Sequence, residues 1–179
     1  MLFVADQGNH RIVMLDAATL TWRGAFGSKG SGCGQLCNPV GLTAIGDELY
    51  VRDTSNHRIQ VFDVSGAHGA GVCGAYLRSF GGPGKAPGQF DEPTGMAHDG
   101  RGRLLVSEAG AKRVQVLTTT GEPLQVLPLP QAGRLYGMCV CDGRAYVADY
   151  EQHQVHVLEI KNEPLPPSPP VTPAKDKNN

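Results

Sequence analysis

Leu49-Tyr-Val-Arg-Asp-Thr-Ser-Asn-His-Arg-Ile-Gln-Val-Phe62 is the stretch whose reading decides the fold. Two short runs rich in β-branched, aliphatic and aromatic residues flank a polar turn, which is the composition of two paired strands. Nearly the same wording stands at Leu2-Phe-Val-Ala-Asp-Gln-Gly-Asn-His-Arg-Ile-Val-Met-Leu15. Looser copies run from Leu104 to Leu117 and from Ala145 to Leu158, and an acid recurs at Asp6, Asp53, Glu108 and Asp149. A second element precedes three of the four: Pro39-Val-Gly-Leu42, Pro93-Thr-Gly-Met96 and Leu135-Tyr-Gly-Met138. The loops leading in match as well, Gly34-Gln-Leu36 against Gly88-Gln-Phe90, and Phe26-Gly27 and Phe80-Gly81 close the preceding units alike. The chain is an array of repeats.

The copies start 47, 55 and 41 residues apart. Periods in the forties built from short β-type segments point to propeller blades of roughly 40–50 residues. Length varies only in connections, chiefly through the Gly/Ala-rich stretch Ser65–Ala75, as in a packed scaffold with variable loops. The 179 residues include 24 glycines and 13 prolines, a density that argues against long helices. Each unit reads as four strands, a to d, apolar on both faces as expected of sheets packed between neighbours. Strand a is Val40–Ala44, Thr94–His98 and Tyr136–Cys141; strand b is Leu2–Ala5, Glu48–Arg52, Arg103–Ser107 and Arg144–Ala148. Strand c is Arg11–Leu15, Arg58–Asp63, Arg113–Leu117 and Gln154–Glu159; strand d is Trp22–Phe26, Ala75–Phe80 and Pro123–Leu127. Gly46, Gly100, Gly102 and Gly143 supply hairpin turns between strands a and b.

Tyr50-Val-Arg-Asp53 followed by Asn56-His57-Arg58-Ile59, with Gly88-Gln-Phe90 and Pro93-Thr-Gly-Met96, resembles the NHL repeat. The resemblance covers about residues 1–160 and loosens in the third and fourth units, where Ala111-Lys112 and Gln152-His153 replace Asn-His. It implies an all-β fold, a β-propeller related to WD-type propellers and usually six-bladed. The strands supply about three and a half four-stranded blades, in units 1–26, 39–80, 93–127 and 135–160. An open or partial propeller is therefore expected, a segment of a larger one, with an apolar blade face uncovered at each end and prone to self-association. Six of the prolines fall in 161–179, which reads as a disordered tail.

The acid at the end of strand b stands four or five residues before the basic residue that opens strand c. That spacing lets the carboxylate hold the turn's backbone N–H groups and reach Arg58 or His57 across the hairpin, with Asn56 suited to a left-handed turn position. This reads first as blade architecture. The same turns also form a candidate recognition surface: His10, Arg11, Arg52, His57, Arg58, Lys112, Arg113 and His153, joined by the loops Gly27–Asn38 and Gly81–Glu92. His98 reads as a hydrogen-bonded structural residue, and Trp22, the lone tryptophan, as packed between blades. Cys33, Cys37, Cys73, Cys139 and Cys141 form an odd set that disfavours a disulfide framework and reads as small buried hydrophobes; neither a metal nor another cofactor is called for.

Sixteen basic residues against seventeen acidic exclude a whole-chain field that would draw in nucleic acid or an anionic membrane. No run approaches a membrane span and the N-terminus lacks a secretion signal, which points to the cytoplasm if Met1 is the native start. Nothing assembles a nucleophile, base and orienting group, so the expected role is a non-catalytic scaffold binding a protein partner through its loop face. Two alternatives follow from the resemblance. One is the substrate- or RNA-recognition part of a tripartite-motif–NHL ubiquitin ligase, although residues 1–160 hold 13 Lys/Arg against 15 Asp/Glu and RNA binding would need a segregated basic face. The other is a propeller lyase resembling the peptide-amidating enzymes, with His98 as the sole inner-strand histidine.

Overall fold

Apolar residues at alternate positions, a polar turn and an opposed acid and base are the ingredients of a hairpin, and each repeat folds as one. The computed structural model describes residues 1–68 and 73–161; the rest of the expected tail and the centre of the Gly/Ala-rich insert lie outside them. The first sheet holds β1 (Leu2–Asp6), β2 (Arg11–Leu15) and β3 (Trp22–Phe26). A two-stranded parallel pair, β4 (Ser28–Lys29) and β5 (Gln35–Leu36), then folds within what reads in sequence as a Gly-rich loop. The second sheet is β6 (Pro39–Ile45), β7 (Glu48–Asp53), β8 (Arg58–Asp63) and β9 (Ala75–Gly81). The third is β10 (Pro93–His98), β11 (Arg103–Glu108), β12 (Arg113–Thr118) and β13 (Pro123–Pro128). The last is β14 (Leu135–Cys141), β15 (Arg144–Asp149) and β16 (Gln154–Glu159).

Each of these four sheets is a purely antiparallel meander, and the strand assignments made from periodicity hold to within one or two residues. The innermost strands meet: β6 lies beside β1 and β10, and β10 beside β14. The register places Asp6 opposite Arg11, Asp53 opposite Arg58, Glu108 opposite Arg113 and Asp149 opposite Gln154.

Side-chain alternation makes one strand serve two cores. Leu49 and Val51 of β7 pack with Ile12 and Phe62 between the first and second sheets. Tyr50, between them in sequence, packs with Leu104 and Val106 between the second and third. Leu105 in turn joins Ala145 and Val147 between the third and fourth. The Phe-Gly that closes a unit has a steric cause. Gly27 and Gly81 take φ of +91° and +97°, and a Cβ there would stand 2.8 Å from Leu36 Cδ1 and 2.4 Å from the Phe90 ring.

Three expectations fail. The left-handed residue of the turn is not Asn56 but His57, at φ 51°, because Thr54–Asn56 forms a right-handed 3-10 turn whose first carbonyl takes the His57 N–H. His10, Lys112 and His153 occupy the same position with φ of 56°, 47° and 52°. Trp22 is not packed between blades; it is 58% exposed at the start of the outermost strand, with the Arg11 guanidinium 5.8 Å from its ring centroid. Nor are the cysteines buried. All five are free thiols, and Cys33, Cys139 and Cys141 are exposed. Met138 and Val140 turn toward the core of the last two sheets, so alternation sends Cys139 and Cys141 to the uncovered side.

Leu105→Ala, which opens a void where the third and fourth sheets meet, is expected to cost about 2–5 kcal/mol in urea unfolding. Val157→Ala, on a side chain already 53% exposed, should cost less than about 0.5 kcal/mol.

Candidate interaction face

The turns between the second and third strands of each unit and the loops that lead into the first strand lie together, joined by backbone and side-chain bonds. Ser55 N–H donates to the Cys37 carbonyl, and Tyr150 N–H to that of Arg134. Asn38 Nδ2 donates to Ser55 Oγ at 2.9 Å, while Asn38 N–H donates to Nδ1 of His10, on the neighbouring sheet's turn, at 3.1 Å.

The acid of each turn organises this face. Asp53 is fully buried, and its Oδ1 accepts the Cys37 N–H at 2.6 Å. Its Oδ2 accepts from Asn56 Nδ2 at 2.8 Å, Arg58 Nε at 2.8 Å and Gln60 Nε2 at 3.1 Å. Glu108, equally buried, takes the Asp91 N–H on Oε2 at 2.8 Å, and Arg113 Nε and Gln115 Nε2 on Oε1, both at 2.7 Å. Asp149 accepts the N–H groups of Gly133 and Gln152 and lies 2.9 Å from His156 Nε2. The rule is one acid, a backbone N–H from the incoming loop, and a polar side chain seven residues on.

That last residue reaches further. Gln60 accepts the Gly34 N–H and donates to the Gln35 carbonyl, and Gln115 accepts the Gly88 N–H and donates to the Gln89 carbonyl. Arg58 donates to the carbonyls of Gly32 and Gln35, and Arg113 to those of Lys85, Ala86 and Gln89. Both loops expected on the face are therefore clamped from below. Asp6 lies at the more exposed end of the series, with Asn9 and Arg11 as its partners.

Electrostatics follow from these contacts. Hydrogen bonds from Arg11 and Asn9 hold Asp6 below the ordinary carboxylate range. Burial pushes Asp149 upward, but the bonds from His156, Gly133 and Gln152 outweigh it and leave its pKa lowered. Arg52 is the exception. Only 5% exposed, it donates from Nε to Thr54 Oγ1 at 3.3 Å, and desolvation lowers its pKa to about 10, against a small opposing effect of Tyr136.

Of the residues expected on the surface, Arg52 and Arg113 are buried and Arg58 is largely spent on its own loop. His57 is half-buried, with Nδ1 enclosed and unpaired. His10 and Arg11 are half-buried, while Lys112 and His153 are exposed. The face also carries a feature the sequence reading missed. Tyr136 and Tyr150, 51% and 68% exposed, form an aromatic pair with ring centroids 5.7 Å apart. A signal for it existed: Tyr150 stands on the turn where the other units have Gln7, Thr54 and Ala109. Among the described residues no three His, Cys, Asp or Glu side chains converge as a metal ion would require.

Antiparallel sheets of three and four strands, packed face to face with their inner strands adjacent, define a β-propeller fold. Solved structures similar to it agree. A nidogen/laminin complex matches with a TM-score of 0.64 and 19% identity, over 88% of this chain and 54% of that one. The β-propeller domain of Cps50 (Swd1) from Myceliophteria thermophila matches at 0.63 and 14%, over 86% and 48%. Virginiamycin B lyase from Staphylococcus aureus, solved as a catalytically inactive form with quinupristin, matches at 0.62 and 15%, over 90% and 52%. The NHL-repeat model matches residues 36–62 of this chain. RING finger protein nhl-1 of Caenorhabditis elegans is 38% identical over 87 residues, and Protein brain tumor of Drosophila melanogaster 27% over 126. These alignments cover 48% and 69% of this chain but 8% and 11% of the relatives, so it spans about a tenth of their length.

Asp53→Ala strands four donors around a buried site and is expected to cost about 3–5 kcal/mol by chemical denaturation. Arg52→Met keeps the packed stem without the desolvated charge and should raise Tm by about 3–6 °C, corresponding to about 1–3 kcal/mol. Because Asp6 and Asp149 have lowered folded-state pKa values, the unfolded chain binds more protons in mild acid. Stability should hold from pH 7 to about pH 5 and fall as the pH drops through about 4 and below, as read by urea midpoints.

Proposed function

We propose that this segment is a non-catalytic scaffold that binds a protein partner through the face bearing the turns and incoming loops. The observation that carries the reading is the exposed Tyr136–Tyr150 pair on a face whose backbone is held by buried carboxylates. Exposed tyrosines on a rigid support are typical anchors of protein interfaces, because they offer large contact area at low conformational cost. Lys112 and His153 extend the accessible surface. The acids that might have served a reaction are instead saturated by structural donors, which favours binding over catalysis.

A second reading has one observation behind it. The likeness to a RING finger protein fits a recognition segment of a ubiquitin ligase, in which this face would select the substrate. RNA recognition is less favoured, since the exposed Lys85, Arg134, Glu92 and Glu151 mix both signs on this side. The lyase-like alternative has no converging metal ligands among the described residues to support it. Five free cysteines suit a reducing compartment, so a cytoplasmic setting is proposed. No helix among the described residues is long and apolar enough to cross a membrane.

Affinity capture with the wild type, the Tyr136→Ser/Tyr150→Ser variant and Glu122→Ala, a control away from this face, tests the proposal. Captured protein should fall at least about tenfold with the tyrosine variant and be unchanged with the control, as expected of two anchors each contributing about 1 kcal/mol or more. Equal capture by all three would end the loop-face reading. Capture of RNA that weakens steeply with salt would replace the protein partner with a nucleic acid.

A further inference from the structure

Arg52 holds a place that its counterparts in the other units fill with small residues. The hairpin register sets it against Ile59, as Ala5 is set against Ile12, Ser107 against Val114 and Ala148 against Val155. A sheet is therefore built as well with a methyl or a hydroxyl there, and packing does not explain a guanidinium. The second sheet packs on the first at one side and on the third at the other, so both walls of this site belong to the described chain. Arg58 and Arg113 each have a buried acid and loop carbonyls as partners. Arg52 is just as withdrawn from water, yet its sole hydrogen-bond partner among the described residues is the Thr54 hydroxyl. A desolvated cation without a counter-charge costs the fold stability.

The far end of that side chain is open. The polar atoms enclosed without a partner among the described residues are His57 Nδ1 and Arg78 Nε, so Nη1 and Nη2 of Arg52 reach the surface with their donors unused. Gly41 leaves the guanidinium its room, since a Cβ there would stand 3.4 Å from both Cζ and Nη1. Tyr136 lies near enough to act electrostatically on the group, and its ring is paired with that of Tyr150. A recessed, unpaired cation thus opens beside the two exposed tyrosines.

We propose that Arg52 is the anion subsite of this face, where it takes the carboxylate of an Asp or Glu side chain of the protein partner while Tyr136 and Tyr150 hold the apolar residues next to it. The inference rests on the reading of this face as a protein-binding surface and names the chemistry it selects. A guanidinium matches a carboxylate as a planar fork, and the pair is strongest where water is largely excluded. A phosphate brings more negative charge than one guanidinium neutralises, and the exposed Glu92 and Glu151 on this side would repel it further.

The test is a titration of the full chain, followed by nuclear magnetic resonance at the backbone amide of Thr54, with three probes from about 0.1 to about 20 millimolar. They are acetyl-Leu-Glu-Leu-amide, its uncharged counterpart acetyl-Leu-Gln-Leu-amide, and inorganic phosphate. The Glu peptide should bind saturably and at least about tenfold more tightly than the Gln peptide or phosphate, as a charge-assisted fork requires. The preference should vanish in Arg52→Met, with Arg52→Gln in its place if circular dichroism shows that variant to have lost its strands. It should persist at lower overall affinity in Tyr136→Ser/Tyr150→Ser. Equal binding of the two peptides, a preference that survives in both Arg52 variants, or tighter binding of phosphate would each overturn the proposal. A lost preference leaves the tyrosine anchors to be judged by capture, and unchanged capture by the tyrosine variant leaves the preference standing, so the two readings fail separately.

Discussion

A buried carboxylate at each turn is the constraint on which the rest of this structure depends. An ionised acid withdrawn from water is tolerated only when its lone pairs are filled. Asp53 and Glu108 meet that demand by drawing in a backbone N–H from the preceding loop, a guanidinium from the next strand and an amide two residues beyond it. The arginine and glutamine thus oriented use their remaining donors and acceptors on that same loop. One acid therefore fixes a turn, a strand register and an incoming connection together, and the repeated spacing follows from that joint requirement.

The same economy separates architecture from recognition. Arg58 and Arg113 look like surface cations in a linear sequence, yet their hydrogen bonds go to their own chain. What the network leaves accessible is aromatic and of mixed charge, and it sits on backbone held by that network. A face of that kind suits the proposed recognition by shape and apolar contact more than by field.

The fold was legible because period-two alternation and a recurring acid survive in every unit, even where Asn-His becomes Ala-Lys or Gln-His. Strand limits followed closely, since Gly and Asp mark the hairpins plainly. Two local matters were less legible. The left-handed position falls on His57, although asparagine is the commoner occupant, because the Asn56 amide is held by Asp53 and the Gly30 carbonyl. The polar residue inside Ile59-Gln-Val61 and Val114-Gln-Val116 was visible as an interruption of apolar strands, but its partner lies some 25 residues away on a loop that pattern alone does not place. Trp22 and the exposed thiols depend on which sheet has a neighbour on which side, a property of the whole arrangement and not of any window of sequence.

Alternate residues of β7 and β11 feed different cores, so the second and third sheets are gripped from both sides while the outer two are gripped from one. Opening an outer sheet disrupts a single apolar layer, whereas opening a middle one disrupts two. Amide hydrogens in β7 and β11 should therefore exchange with solvent last, and those of β3 and β16 first, giving the chain a centre-to-edge gradient of breathing.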